Sequence, residues 1–215
     1  MVMTDKTKIT LSHKEHELVC NTDWILTKQN IIKKVITIFG DFIQPMQQVV
    51  AQNRHDLLMA DFEKEPKISK GENYQLLPYV MLDYPRHFGL KETLAVRTMF
   101  WWGNFFSVTL QLSGDVKQKA IPALMANFAS LQQNNYWICV NENAWQYHFE
   151  ADNYKEMATL SSEAFEEILY KKPFIKIARK ISLQHWNTVT LFVEQTFEEL
   201  INLLSVNYLS DEKDL

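Results

Sequence analysis

The sequence predicts an α+β protein built on a single antiparallel sheet of about five strands, with N-terminal and C-terminal helices and one crossing helix. Three observations predict it. Apolar residues recur at helical spacing before about residue 50 and after 154, and the period shortens to alternation between 74 and 150. Two pairs of runs in that middle stretch are separated by hairpin-type turns. Strands joined by hairpins pair antiparallel, and helices grouped at the ends point away from a parallel doubly wound fold.

Ser12 and Glu15 have capping-box spacing, so a short helix is expected to about Cys20. A longer helix follows Asn21, with Ile25, Ile32, Val35, Phe39, Phe42, Met46 and Val49 on one stripe. Pro45 lies within it, lacks an N–H and clashes one turn back, which predicts a kink or break near residues 40–45. Residues 61–73 are charged, carry Pro66 and Gly71, and read as the longest connection. Residues 75–83 suit an edge strand, because Pro78 cannot donate to a ladder. A turn over 83–89 follows, then a hairpin of 94–102 with 105–113 around Gly103-Asn104. A helix is expected over about 116–133, and 136–140 with 144–150 form a second hairpin across Asn141-Glu142-Asn143. Residues 154–170 read as helical, and Pro173 opens a last helix whose stripe runs from Ile177 to Leu204. The order from residue 74 onward, β-β-β-α-β-β-α, is similar to that of the chaperones of bacterial type III secretion, a resemblance of fold alone.

No repeat or linker divides the chain, so residues 1–215 read as one domain with a frayed tail at about 210–215. A net charge of −4 gives no reason to expect nucleic acid or an anionic membrane as partner. No apolar run approaches the ~18 residues that cross a bilayer, and the polar N-terminus lacks a signal-peptide core. Cys20 and Cys139 show no CxxC spacing, which fits a reducing compartment, so the expected location is cytoplasmic. The five glycines form no GxGxxG, GxxxxGK[ST] or GxSxG, which excludes the common phosphate loops and the hydrolase elbow. No cofactor is expected. His13, His16 and Cys20 share a helix face, but three ligands leave a zinc site incomplete, so no metal is expected either.

The candidate site comes from strand alternation. A two-residue loop at Glu142-Asn143 puts Val140, Trp145, Ile138, Tyr147, Tyr136 and Phe149 on one apolar face, leaving Trp137, Cys139, Gln146 and His148 on the other. In the first hairpin, a two-residue loop would bury Arg97 beside Leu110. A three-residue loop groups Arg97, Met99 and Trp101 with Ser107, Thr109 and Gln111, and avoids a buried unpaired guanidinium. The resulting ligand-binding candidates are Arg97, Trp101, Thr109, Gln111, Trp137, Gln146 and His148. Aromatic walls with a few converging polar groups are the usual make-up of a ligand pocket or peptide groove; the structural alternative is a helix packed over the same face.

A loop candidate gathers Asp83, Tyr84, Arg86 and His87, where Asp83 and Arg86 could equally brace the corner. Lys172, Lys176 and Lys180 repeat at i, i+4 and read as a basic helix face. The leading expectation is a non-enzymatic binding protein for a peptide, protein or small ligand. An enzyme using Arg97 as anion clamp and His148 as acid and base is the alternative, although neither residue has a nucleophile at diagnostic spacing. A structural homodimer that buries the aromatics is the third.

Overall fold

A computed structural model of the chain describes residues 9–53 and 64–204. It is α+β with one antiparallel sheet, of seven strands instead of about five, in the order β1-β2-β3-β4-β7-β5-β6. The proposed frayed tail lies outside the described residues.

The capping box opens α1 (His13–Cys20): the Glu15 carboxylate accepts from the Ser12 N–H at 2.7 Å, and the Ser12 hydroxyl from the Glu15 N–H at 3.3 Å. Helix α2 (Thr22–Gln52) runs for 31 residues through Pro45, so the expected break does not occur. Val35, Phe39, Phe42 and Met46 are buried on both sides of the proline, and their shared packing outweighs one lost hydrogen bond.

The stretch read as the longest connection holds nearly all of β1 (Lys67–Tyr74), one of the two edge strands of the sheet. Charged residues are tolerated there because an edge strand is half solvated. The strand expected at the edge over 75–83 is interior, paired with β1 and β3, because β1 takes the edge, and the turn expected over 83–89 continues it: β2 spans Leu77–Phe88. A register shift between Asp83 and Arg86 takes the place of the turn and accommodates Pro85, whose peptide bond with Tyr84 is cis. Strands β3 (Thr93–Trp101) and β4 (Phe105–Ser113) adopt the three-residue loop, with Arg97 opposite Thr109 and Phe100 opposite Phe106. Gly103 sits in the loop at φ 74°, where a side chain would be strained.

The expected crossing helix is two, α3 (Gly114–Ala126) and α4 (Phe128–Gln133), parted at Asn127, whose amide donates back to the Ala123 carbonyl at 2.8 Å. The second hairpin does not form. Strand β5 (Trp137–Cys139) pairs with β6 (Tyr154–Glu156), not with 144–150. The chain leaves the sheet after β5 because asparagines satisfy its backbone locally: Asn141 Oδ1 accepts from Asn143 N–H at 2.8 Å, and Asn143 Oδ1 from Trp145 N–H at 2.9 Å. The helix expected over 154–170 begins only at α5 (Ser162–Lys171).

The largest correction concerns residues read as the start of the last helix. They form β7 (Phe174–Ser182), which lies between β4 and β5 in the middle of the sheet. Lys176 and Lys180 therefore share a strand face rather than a solvated helix stripe. Helix α6 (Val189–Asn202) follows after a 3-10 turn. The observed order from β1, β-β-β-β-α-α-β-β-α-β-α, departs from the secretion-chaperone order.

Alternation divides the sheet into two faces. Val80, Leu82, Val96, Phe100, Phe106, Val108, Leu110, Ile175 and Ile177 point to α2 and α6 and form the main core. Met81, Met99, Trp101, Phe105, Cys139 and Ala178 point the other way, where Tyr147 and Phe149 of segment 140–153 lie over them.

Candidate functional site

Site geometry begins with register. Asp83 on β2 stands opposite Arg97 on β3, which stands opposite Thr109 on β4, so a carboxylate and a guanidinium meet on the face turned away from the long helices. Arg97 Nε donates to Asp83 Oδ1 at 2.6 Å and Nη2 to Oδ2 at 3.3 Å, a two-pronged contact. Both side chains are nearly closed to solvent, at 12% and 8% exposure. Arg97 Nη1 donates to the Tyr147 hydroxyl. The guanidinium also lies about 5 Å from the rings of Phe88, Trp145 and Tyr147, near 5.3, 5.5 and 5.1 Å respectively.

Segment 140–153 is held onto the face by two anchors. The Tyr74 hydroxyl accepts from the Tyr147 N–H at 2.6 Å and the His148 N–H at 3.0 Å, and donates to Gln146 Oε1 at 3.3 Å. Tyr74 is itself steadied by Trp101, whose indole N–H donates to the Tyr74 carbonyl at 3.2 Å. The second anchor is Lys176 on β7, wholly buried, whose ammonium donates to the Gln146 carbonyl and lies over the rings of Tyr147 (4.6 Å) and Tyr154 (5.2 Å). Burial pushes the Lys176 amine down to about 8, and the Arg97 charge adds to this. No carboxylate pairs with it among the described residues.

Between these anchors and β1 a cavity of about 240 Å³ opens. Tyr74, Tyr79, Trp145 and Tyr147 wall it, Met81 and Met99 floor it, and Arg97 and Ser69 supply its polar groups. Burial holds the Tyr147 phenol well above its ordinary value, the Arg97 charge opposing, so it remains a neutral hydroxyl. The cavity can hold an apolar or aromatic body and hydrogen-bond it at one end. Among the described residues that line it, none is a cysteine or hydrogen-bonds to a histidine side chain. Cys139 is buried, burial pushes its thiol up, and its Sγ lies 3.4 Å from Asn153 Oδ1.

The ligand-binding candidates fall in different places. Arg97 lines the cavity. Trp101, Thr109 and Gln111 are buried beneath the covering segment, Trp101 as the support of Tyr74. Gln146 and His148 belong to that irregular segment and not to a strand, which corrects the expected pairing. Trp137 shares the sheet face but packs on Phe149 at 5.5 Å under Lys180, away from the cavity lining. His148 is outside the lining as well: its buried Nδ1 lacks a hydrogen bond among the described residues and lies 3.8 Å from an Asp152 oxygen. Arg97 and His148 are thus not joined in one site.

The loop candidate disperses too. Asp83 pairs with Arg97, not Arg86; Tyr84 faces the main core; Arg86 donates to the Glu65 carbonyl at 2.7 Å; and His87 lies 3.9 Å from Glu92. Of the aromatics around Gly103, Phe100, Trp101, Phe105 and Phe106 are buried within the chain, and Trp102 is half-buried against the main core. Sequence reasoning missed Ser69 and Tyr74, because β1 was read as a connection, Tyr79, because its strand was given no partner on that side, and Lys176, because β7 was read as helix. The one signal in the sequence was Ile175, Ile177 and Ile181, β-branched residues at even spacing.

Among the described residues no cluster of three metal-ligating side chains occurs, and His16 and Cys20 only approach each other at 3.9 Å. No described helix is long and apolar enough to cross a membrane. The fold and site define an α+β antiparallel-sheet protein with one face partly covered by an irregular segment. No family model, curated protein or solved structure matches the chain.

Proposed function

We propose that this is a non-enzymatic binding protein, and that its ligand is a small molecule, or a single side chain of a peptide, held in the cavity between β1 and segment 140–153. One observation carries the reading. Four aromatic rings enclose about 240 Å³ around a guanidinium whose position is fixed by a buried carboxylate and a tyrosine hydroxyl. Aromatic walls and a few fixed polar groups are what ligand sites share, and this volume lies just under the ~300 Å³ at which such sites usually begin. The occupant is accordingly small. Two unpaired thiols, Cys20 and Cys139, support a cytoplasmic setting.

The enzyme reading gains nothing from the separation of Arg97 and His148. Phe100, Trp101, Phe105 and Phe106 of the β3–β4 hairpin are buried within the chain and lend the homodimer reading no support.

Chemical-shift mapping with a library of fragment-sized molecules tests the proposal. Binders should shift the Trp145 indole and the Met81 and Met99 methyls, and Trp145→Ala, an exposed side chain whose loss spares the core, should weaken them at least tenfold. Shifts clustering elsewhere, or binding indifferent to Trp145→Ala, would overturn it.

A further inference from the structure

Charge at the cavity is not balanced. Asp83 supplies one buried carboxylate, while Arg97 and Lys176 supply two cations, 5.1 and 4.6 Å from the centre of the Tyr147 ring. A guanidinium has five N–H groups; Asp83 takes two and Tyr147 one, so among the described residues two remain, one on each Nη. Those donors belong to a residue that lines the cavity. Lys67, opposite Asp83 in register, adds a further cation at the exposed edge. A buried cation without a counter-ion is costly, and an arriving anion offsets that cost.

Resting on the pocket reading above, we propose that the natural ligand is a small monoanion: a carboxylate, or an oxyanion of like size, on a flat aromatic body. Its charge meets the two free Arg97 donors, and its body lies among Tyr74, Tyr79 and Trp145. Planar oxyanions match the guanidinium fork, and flat rings match aromatic walls. A cation is disfavoured by Arg97 itself, and a neutral amide leaves the excess charge uncompensated.

The same geometry couples binding to protonation. The groups facing Lys176 are Arg97 on β3, Cys139 on β5, Tyr154 on β6 and Tyr147 of the covering segment, with uncharged Gln111 beside it on β4. Arg97 is the fixed cation among them, so an anion seated on Arg97 draws a proton onto Lys176 near pH 8.

Three probes of one shape decide the class: phenylacetate, phenylacetamide and phenethylamine, titrated into the full chain at pH 8 and followed at the Trp145 indole. Phenylacetate should bind at least tenfold more tightly than either analogue. Calorimetry in two buffers of different ionisation enthalpy should show proton uptake with it. Arg97→Lys keeps a charge for Asp83 and hence the fold, but removes the fork, and should lose most of that preference. Lys176→Met should abolish the proton uptake and weaken phenylacetate more than phenylacetamide. Equal or tighter binding of the amide or amine at Trp145 would overturn the anion assignment and leave the pocket standing. Failure of all three probes to shift Trp145 would overturn the assignment, and failure of the wider fragment library would remove the pocket as well.

Discussion

Asp83 and Arg97 pair where both side chains are nearly closed to solvent, and a lone charge there is costly to bury. Removing one partner strands the other, so Arg97→Met or Asp83→Asn should lower stability by about 3–5 kcal/mol, read by urea unfolding. Pairing Arg97→Met with Asp83→Leu should recover most of that loss, since no buried charge then remains. Lys176 follows a different rule. Its amine titrates near 8 when folded and near 10.5 when unfolded. Below about pH 8 both states hold the proton, and the folded state bears the full cost of burying it. Between 8 and 10.5 the unfolded state holds more protons, so stability rises with pH across that window. Relative to Lys176→Met, the wild type should gain on the order of 3 kcal/mol between pH 7 and pH 11. A constant difference between the two proteins over that range would contradict the buried, uncompensated amine.

Segment 140–153 is the element that makes a pocket out of a sheet face. Its attachment to β1 runs through one hydroxyl, that of Tyr74, which accepts two backbone N–H groups. Tyr74→Phe leaves both amides without that acceptor and should cost about 1–3 kcal/mol. Hydrogen exchange at Tyr147 and His148 should accelerate while β3 and β4 stay protected. Uniform acceleration across the sheet would mean that the segment is not a separate unit. This element was only half legible in the sequence. Its aromatic and polar residues were singled out, but alternation was taken for pairing, whereas Asn141 and Asn143 close the backbone on itself. Strand β7 was misread for a related reason. The isoleucines at 177 and 181 fit a helical turn as well as a strand, and only a place between β4 and β5 decides between them.

At the scale of the molecule, the long helices cover one face and the irregular segment the other, while α1 contributes nothing to the core. Leu18 and Val19 are exposed, so changing both to Ser should alter unfolding free energy by no more than about 0.5 kcal/mol. Phe106, wholly buried between α2 and the sheet, is the opposite case, and Phe106→Ala should cost about 3–5 kcal/mol. Comparable losses from both variants would mean that α1 packs in solution against a surface not used here.

The α+β class, the antiparallel sheet, the capping box at Ser12 and the register of the β3–β4 hairpin follow from residues close together in the chain. Alternation, turn residues and the cost of burying a lone guanidinium are local or nearly local forces, and a sequence displays them directly. The partners of Arg97, Lys176 and Tyr74 are not displayed in this way. Asp83 reaches Arg97 only through the pairing of β2 with β3, and Tyr74 meets Tyr147 across more than seventy residues. Lys176 is buried only because β7 inserts between β4 and β5 beneath the covering segment. Which charges meet, and whether they enclose a space, depends on strand order and burial, and these are fixed only when the whole chain packs.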